Sequence, residues 1–445
     1  MKTYFSNWAS IVLISALILR IATLPTANFS YVLIATYALL GRTQAIQALT
    51  LSWFLTMINP VFAPEASASS ILRYVVIFAA AISVAWHSRG VTIKKMSFYT
   101  LLLGAFMLIH SLLFSSVVDV SVLKVLAWVV VVVTLLSAWQ GLPKKQRMVL
   151  FEQLQWVLIG LLLLSLPLLA IPDIGFARNG SGFQGLLNHP QVFGSTVALV
   201  GAMVGGKLLG VSRPRWRDLA LLAICVVLIV LSEARTGGLA MVLGLFGSAI
   251  LLPVFSGMPR KKMLPSLYSR RFQAMALISL AGAIAAGPIL SDYLYKNSNA
   301  TSFINAADAS RGNLVIRMIE NISESPWTGI GFGIASNPEY MAVVRDPLFG
   351  LPISATGEKG VMPIAIVEEL GVFGALAVFG WLLVVLRHGA REGATYFTIL
   401  LTLLLLNLGE SMLFSIGGMG MLLLIFLTSS VTSTKKYEKK AVNSV

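Results

Sequence analysis

Long apolar runs separated by short polar stretches occupy the chain from its eighth residue onward. Each run is about 15–25 residues long, the length an α-helix needs to cross roughly 30 Å of hydrocarbon. They fall near 8–24, 29–41, 43–60, 70–87, 96–116, 122–139, 149–171, 191–209, 217–233, 236–255, 273–290, 361–387, 394–408 and 412–431. Helices suit that solvent because each satisfies its own backbone hydrogen bonds. A transmembrane barrel would need alternating apolar and polar residues, and runs such as VLAWVVVVVTLLSAW show none. The second and thirteenth runs are short, so the pattern predicts an all-α, polytopic membrane protein with about 12–14 spans.

Composition sharpens this picture. Hydrophobic residues make up 57% of the 445 positions and charged residues 11%, with a mean hydropathy of +0.84. Soluble domains carry about 25% charge, so no water-facing surface, and hence no soluble enzyme, can be built from this chain. The net charge of +15 would suit nucleic acid, but on a membrane protein it reads as Lys and Arg gathered in cytoplasmic loops, with no nucleic-acid partner. The lone cysteine, Cys225, lies inside an apolar run, which removes disulfides and cysteine metal sites from consideration. The first apolar run follows a single basic residue, Lys2, and lacks a small-residue cleavage site, so it reads as a first span.

Charge also orders the spans. Basic clusters follow the fourth run (Arg89, Lys94, Lys95), the sixth (Lys144, Lys145, Arg147) and the eighth (Arg213, Arg215, Arg217). They recur after the tenth (Arg260, Lys261, Lys262, Arg270, Arg271), the twelfth (Arg387, Arg391) and the fourteenth (Lys435, Lys436, Lys439, Lys440). All six fall on one side under the fourteen-span count, which places both termini in the cytoplasm. The outer connections are short except for 172–190 and 291–360. The longer one holds SRGNLVIRMIENI, an expected amphipathic helix, and then SPWTGIGFG, so it should be folded. The chain thus divides into N-terminal spans (1–171), central helices with outer-face arginines (172–290), the large outer loop (291–360), and C-terminal spans with a basic tail (361–445).

Basic residues are scarce on the outer face. Arg178 lies in ARNGSGFQG, Arg235 in the tight turn SEARTGG, and Arg311 and Arg317 in the long loop. The plain alternative for each is an interfacial arginine snorkelling to the headgroups. Arg235 fits that alternative poorly, because its turn is too short to be a solvated loop. Guanidinium forks bind phosphate oxygens bidentately, so the natural ligand is an anion. His189, in LNHPQVFGS, is the one histidine placed in an outer loop, and both helix capping and a functional role suit it. No HExxH occurs and the histidines are scattered over both faces, so no metal site is expected. Acidic candidates for a general base are Glu358 in TGEKGVMP, Glu410 in NLGES and the pair Glu368–Glu369 in IVEELG. Neighbouring helical residues point about 100° apart, so the pair is not expected to face one site. GIGFG lacks the preceding strand and the lysine of a nucleotide loop, and it lies outside the cytoplasm.

Four stretches, in order over roughly 175–375, resemble the O-antigen ligase/polymerase family of bacterial envelope proteins: FQGLLNHPQVFGSTVAL, LSEARTGGLAMVLG, SRGNLVIRMIENISESPWTGIGFG and IVEELGVFGALAVFG. The resemblance implies a glycosyltransferase that polymerises or transfers glycans carried on undecaprenyl pyrophosphate, at the periplasmic face of the inner membrane. It implies that Arg235 and Arg311 match the arginines holding the lipid diphosphate, with Arg178 and Arg317 as further candidates. Ligases of the family carry a His-Asn-like motif before the last of these helices, where this chain reads GEKGVMP. That departure favours a polymerase of exopolysaccharide, capsule or O-antigen repeats. Glu358 or Lys359 would take the vacant place, with Glu410 and His189 as further catalytic candidates. Arginines fixed at the membrane edge would stabilise charge growing on the diphosphate leaving group, and a base would deprotonate the acceptor hydroxyl. The donor is already activated, so no cofactor is required. The implied partners are the lipid-linked oligosaccharide, the bilayer and other polysaccharide assembly proteins. The competing expectation is a secondary transporter or flippase, which commonly shows repeated halves; the sequence shows no repeat.

Overall fold

The computed structural model describes residues 7–63, 69–88, 94–274, 277, 282, 287, 303–346, 350–355, 357 and 359–432. Within them the apolar runs are helices: α1 (Asn7–Ala22), α2 (Leu24–Ala38), α3 (Arg42–Met57), α4 (Ser69–Trp86), α5 (Lys95–Phe114), α6 (Val118–Gly141), α7 (Lys144–Ser165), α8 (Pro190–Leu209), α9 (Trp216–Leu231) and α10 (Arg235–Ser256). The expected amphipathic helix is α11 (Phe303–Glu324), and α12 (Met362–Glu392), α13 (Ala394–Leu406) and α14 (Gly418–Thr432) follow. The expected span at 273–290 lies mostly outside the described residues. Among the described residues six helices are long and apolar enough to cross a membrane by themselves, including α5, α6, α8, α10 and α12. The chain is an all-α polytopic membrane protein.

The packing matches that solvent. Ile18, Phe78, Leu113, Leu164, Phe246 and Val254 are all more than half exposed, an apolar exterior that water would not tolerate. Helix α8 is the inverse case: every residue from Phe193 to Gly206 is buried. Its small residues allow α9, α10 and α13 to close around it, since backbone approach replaces the hydrophobic effect as a packing drive in lipid. At Gly206 a Cβ would stand 2.8 Å from the Thr395 Cα.

Side chains tie the connections together at two opposite ends. At one, Arg42 donates to the Gly141 carbonyl (2.8 Å) and the His87 carbonyl (2.6 Å), and Lys94 donates to the Gln140 carbonyl (3.2 Å). Arg147 donates to the Thr432 carbonyl there, and Ser266 to the Leu209 carbonyl. These are the connections that carry the basic clusters. At the other end, Arg20 donates to the Leu55 carbonyl and Asn59 to the Ile174 and Gly185 carbonyls. The described part of the outer loop, 303–346 and 350–355, packs at this second end.

Its described part is folded, as expected. Beyond α11 it adds a small antiparallel hairpin that the apolar pattern did not predict, β1 (Val343–Arg345) on β2 (Pro352–Ala355), paired Val343 to Ala355 and Val344 to Ser354. Arg345 pins the hairpin to the start of α6 through Asp119, at 2.6 Å.

Helix α12 is broken. At Gly371 the backbone turns to φ 64°, ψ −175°, a region open almost only to glycine. A Cβ there would lie 2.0 Å from the Trp327 carbonyl oxygen. We predict that Gly371→Ala lowers stability by about 2–5 kcal/mol, from backbone strain plus overlap. Gly380→Ala, on the same helix with open space at its Cβ, should stay within about 1 kcal/mol of wild type. Unfolding midpoints in detergent check both.

Candidate functional site

The break in α12 leaves carbonyls without helical partners, and the glycine loop supplies donors to them. Ile330 N–H donates to the Glu368 carbonyl (2.9 Å), Gly331 N–H to the Glu369 carbonyl (3.0 Å), and Val372 N–H to the Pro326 carbonyl (3.0 Å). From the other side, the α5–α6 tip grips the same loop. His110 Nε2–H donates to the Thr328 carbonyl (2.6 Å), Ser116 N–H to the Ile330 carbonyl (3.1 Å) and Ser121 to the Phe332 carbonyl (2.8 Å). Gly331 must be small here, because a Cβ would stand 2.3 Å from Ser115 Oγ. The GIGFG pattern therefore reads as a docking strip on a broken helix.

Just before the break, Glu368 and Glu369 converge on one ammonium. Lys359 Nζ lies 2.6 Å from Glu368 Oε2 and 3.2 Å from Glu369 Oε1. The Lys359 and Glu368 side chains are 3% and 0% exposed, so this is a fully enclosed pair. Asn321 of α11 donates to the other Glu368 oxygen (2.7 Å), and Gly333 N–H donates to Glu369 Oε2 (2.7 Å). The expectation that the two glutamates cannot share a site is corrected. Lys359 approaches from the loop rather than from the helix, and long side chains span the angle between the two positions.

Beside this triad is a cavity of about 300 Å³, the size at which small-molecule sites begin. Lys359 and Glu369 line it, with Arg73 of α4, Lys124 of α6, Tyr74, Phe332, Phe414, Ser411 and Ser415. Lys124 Nζ donates to the Gly333 carbonyl, 2.5 Å away. Among the described residues the surrounding charged groups are Arg73, Lys124 and Lys359 against Glu368 and Glu369, which leaves one positive charge in excess. Such a site can hold an anion and, at Glu369, accept a hydrogen bond.

The sequence-derived candidates surround a neighbouring turn. Arg235 opens α10 two residues after Glu233, which holds φ 55° as the one non-glycine with positive φ among the described residues. The 172–190 loop is built onto that turn: Phe183 N–H donates to the Leu231 carbonyl (2.8 Å) and Ser181 donates to Glu233 Oε2 (3.1 Å). Arg178 belongs to this loop, its N–H donating to Gln184 Oε1 (2.9 Å). His189 Nδ1 accepts from the Gln191 N–H and caps α8, the structural role the sequence had left open. Gly409, beside Glu410, packs on Thr236, and Ser411 N–H donates to the Lys359 carbonyl (3.1 Å). The strand of chain at 409–411 thus joins the Arg235 turn to the cavity.

The outer-loop candidates differ. Arg317 is exposed and paired with Glu320 (2.8 Å) and Asn337 (2.7 Å), and Glu320 raises its pKa above the ordinary guanidinium value. It does not line the cavity. Arg311 lies on α11, ten residues before Asn321, with only its backbone described. Glu358 lies outside the described residues; Gly357 and Lys359 on either side both line the cavity. Sequence reasoning missed Arg73, Lys124 and Asn321. The first two were absorbed into spans at 70–87 and 122–139, although a charged residue inside a span is itself a signal of function.

Breaking the triad should be costly. Lys359→Met leaves two carboxylates beside each other without their cation and should destabilise by about 3–5 kcal/mol. The triple variant Lys359→Met, Glu368→Gln, Glu369→Gln should recover more than half of that loss, which thermal unfolding in detergent measures. A scan against protein-family models finds no match, and a search of characterised proteins finds no similar sequence.

Proposed function

We propose that this protein is a membrane glycosyltransferase that polymerises glycan repeats carried on undecaprenyl pyrophosphate, or transfers the finished chain, at the periplasmic face of a bacterial inner membrane. One observation carries the reading. The stretches resembling the O-antigen ligase/polymerase family are far apart in sequence, yet they meet at the end of the bundle opposite the basic connections. The 183–199 stretch is hydrogen-bonded to the 231–244 stretch, and the 310–333 stretch to the 366–380 stretch. The 407–411 segment bridges the two pairs: Met362 N–H donates to the Asn407 carbonyl (2.9 Å), and Gly409 packs on Thr236.

With the basic end in the cytoplasm, the converged stretches face the periplasm and both termini are cytoplasmic. An acceptor hydroxyl attacks the anomeric carbon of the lipid-linked donor, and the bond to the diphosphate breaks. Arg235 and Arg311 stabilise the charge that grows on the departing diphosphate. The hydroxyl proton passes to a carboxylate, Glu358 or Glu410, or to His189. Departure from the ligase pattern at GEKGVMP favours the polymerase over the ligase.

A second reading, a secondary transporter or flippase, draws support from the break in α12, since transporter sites commonly use interrupted helices. Glycan size in a deletion strain separates the two. Complementation with Arg235→Ala or Arg311→Ala should lower polymer output by about 10²–10³-fold, the usual loss for one charge-stabilising donor. Single repeats should accumulate on the lipid carrier. Long chains held on the carrier would identify a ligase, and an unchanged profile would favour the transporter.

A further inference from the structure

The cavity beside the triad is lined by a cation that the described residues around it do not neutralise. Lys359 is shared by Glu368 and Glu369, and Lys124 is held by the Gly333 carbonyl. Arg73 makes no hydrogen bond or ion pair among the described residues, and its Nε is buried without a partner. Its guanidinium sits 5.7 Å from the Tyr74 ring centroid and lines the cavity wall. A half-buried guanidinium with no hydrogen bond to the described residues is poised for an oxyanion, which its fork can bind through two parallel hydrogen bonds.

The rest of the wall narrows the ligand. Phe332 and Phe414 meet edge to face at 5.8 Å, and Ser411 and Ser415 add hydroxyls. Aromatic rings take the C–H faces of a sugar and hydroxyls its polar rim. A volume of about 300 Å³ holds one ring rather than a chain, being at the lower end for small-molecule sites. Among the described residues one excess positive charge balances a monoanion; a diphosphate would bring more charge than they offset.

We propose that this cavity binds an acidic sugar, a glycan ring bearing one carboxylate, with Arg73 paired to that carboxylate. The sugar in this inference rests on the glycosyltransferase reading, whereas the anion rests on the cavity alone. In that scheme the Arg73 cavity selects the acidic residue of a repeat, while the Arg235 turn holds the diphosphate.

Binding to the purified full-length protein in detergent tests this without turnover, using glucuronate, glucose, inorganic phosphate and pyrophosphate as probes in thermal-shift titrations. Glucuronate should raise the unfolding midpoint saturably and glucose should not. Arg73→Gln should abolish the shift, and Arg73→Lys should weaken it by about tenfold, because the bidentate fork is lost. Arg235→Ala should leave glucuronate binding intact, so polymer loss in that variant reports on transfer and not on this cavity. If Arg73→Gln does not fold, Arg73→Lys carries the same test. Equal stabilisation by glucose, or a glucuronate shift that survives replacement of Arg73, would overturn the proposal. So would Arg73-dependent binding of phosphate or pyrophosphate in preference to glucuronate, which would reassign the cavity to the lipid headgroup.

Discussion

The buried contact of Lys359 with Glu368 and Glu369 is the constraint on which the outer end of the molecule depends. Three charges enclosed in a membrane protein are expensive unless each is met by its opposite and its remaining polar atoms are hydrogen-bonded. Here Asn321 and the Gly333 N–H supply the remaining bonds. Satisfying the triad therefore fixes three separate pieces of chain together: α11, the glycine loop and the first segment of α12. The break at Gly371 belongs to the same arrangement, because it releases the carbonyls that the loop occupies. A continuous helix would have had no open carbonyls to dock the loop, and the cavity would have lost its floor.

That arrangement also separates two electrostatic environments along the bundle. Basic side chains at one end are spent on helix-end carbonyls, as Arg42 is on Gly141 and Arg147 on Thr432. At the other end positive charge lines a cavity, and at Arg73 no described residue neutralises it. The first pattern is the one the positive-inside rule associates with cytoplasmic loops, and the second is the one the proposed anion site would use.

Most of the fold was readable in the sequence because a lipid solvent imposes a strong, one-dimensional signal. Spans such as 191–209 and 236–255 match α8 and α10 within one or two residues. The parity of the basic clusters predicted which connections share an end, and the described residues of the connections at 87–94, 141–147 and 432 are hydrogen-bonded to one another at one end of the bundle. The site was less readable. Arg235, Arg178, His189 and Glu410 could be singled out as candidates because they stand in polar turns, and the structure brings their stretches together. Arg73 and Lys124 were passed over because they stand within apolar runs, where only three-dimensional proximity shows that they share a cavity. The convergence of Glu368 and Glu369 was misjudged for a related reason. Helical periodicity fixes where a side chain starts but not where a long side chain ends. The hairpin at 343–355 went unseen because its strands are too short to stand out beside runs five times their length.

The central claim is that the converged stretches and their cavity face outward, away from the compartment of the basic connections. Accessibility to a membrane-impermeant maleimide tests it most directly. With Cys225→Ser as background, Tyr340→Cys in the outer loop and Lys145→Cys at the basic end both present exposed positions. In cells whose outer membrane alone is permeabilised, Tyr340→Cys should label and Lys145→Cys should label only after lysis. Labelling of Lys145→Cys with protection of Tyr340→Cys would invert the topology and contradict a periplasmic site.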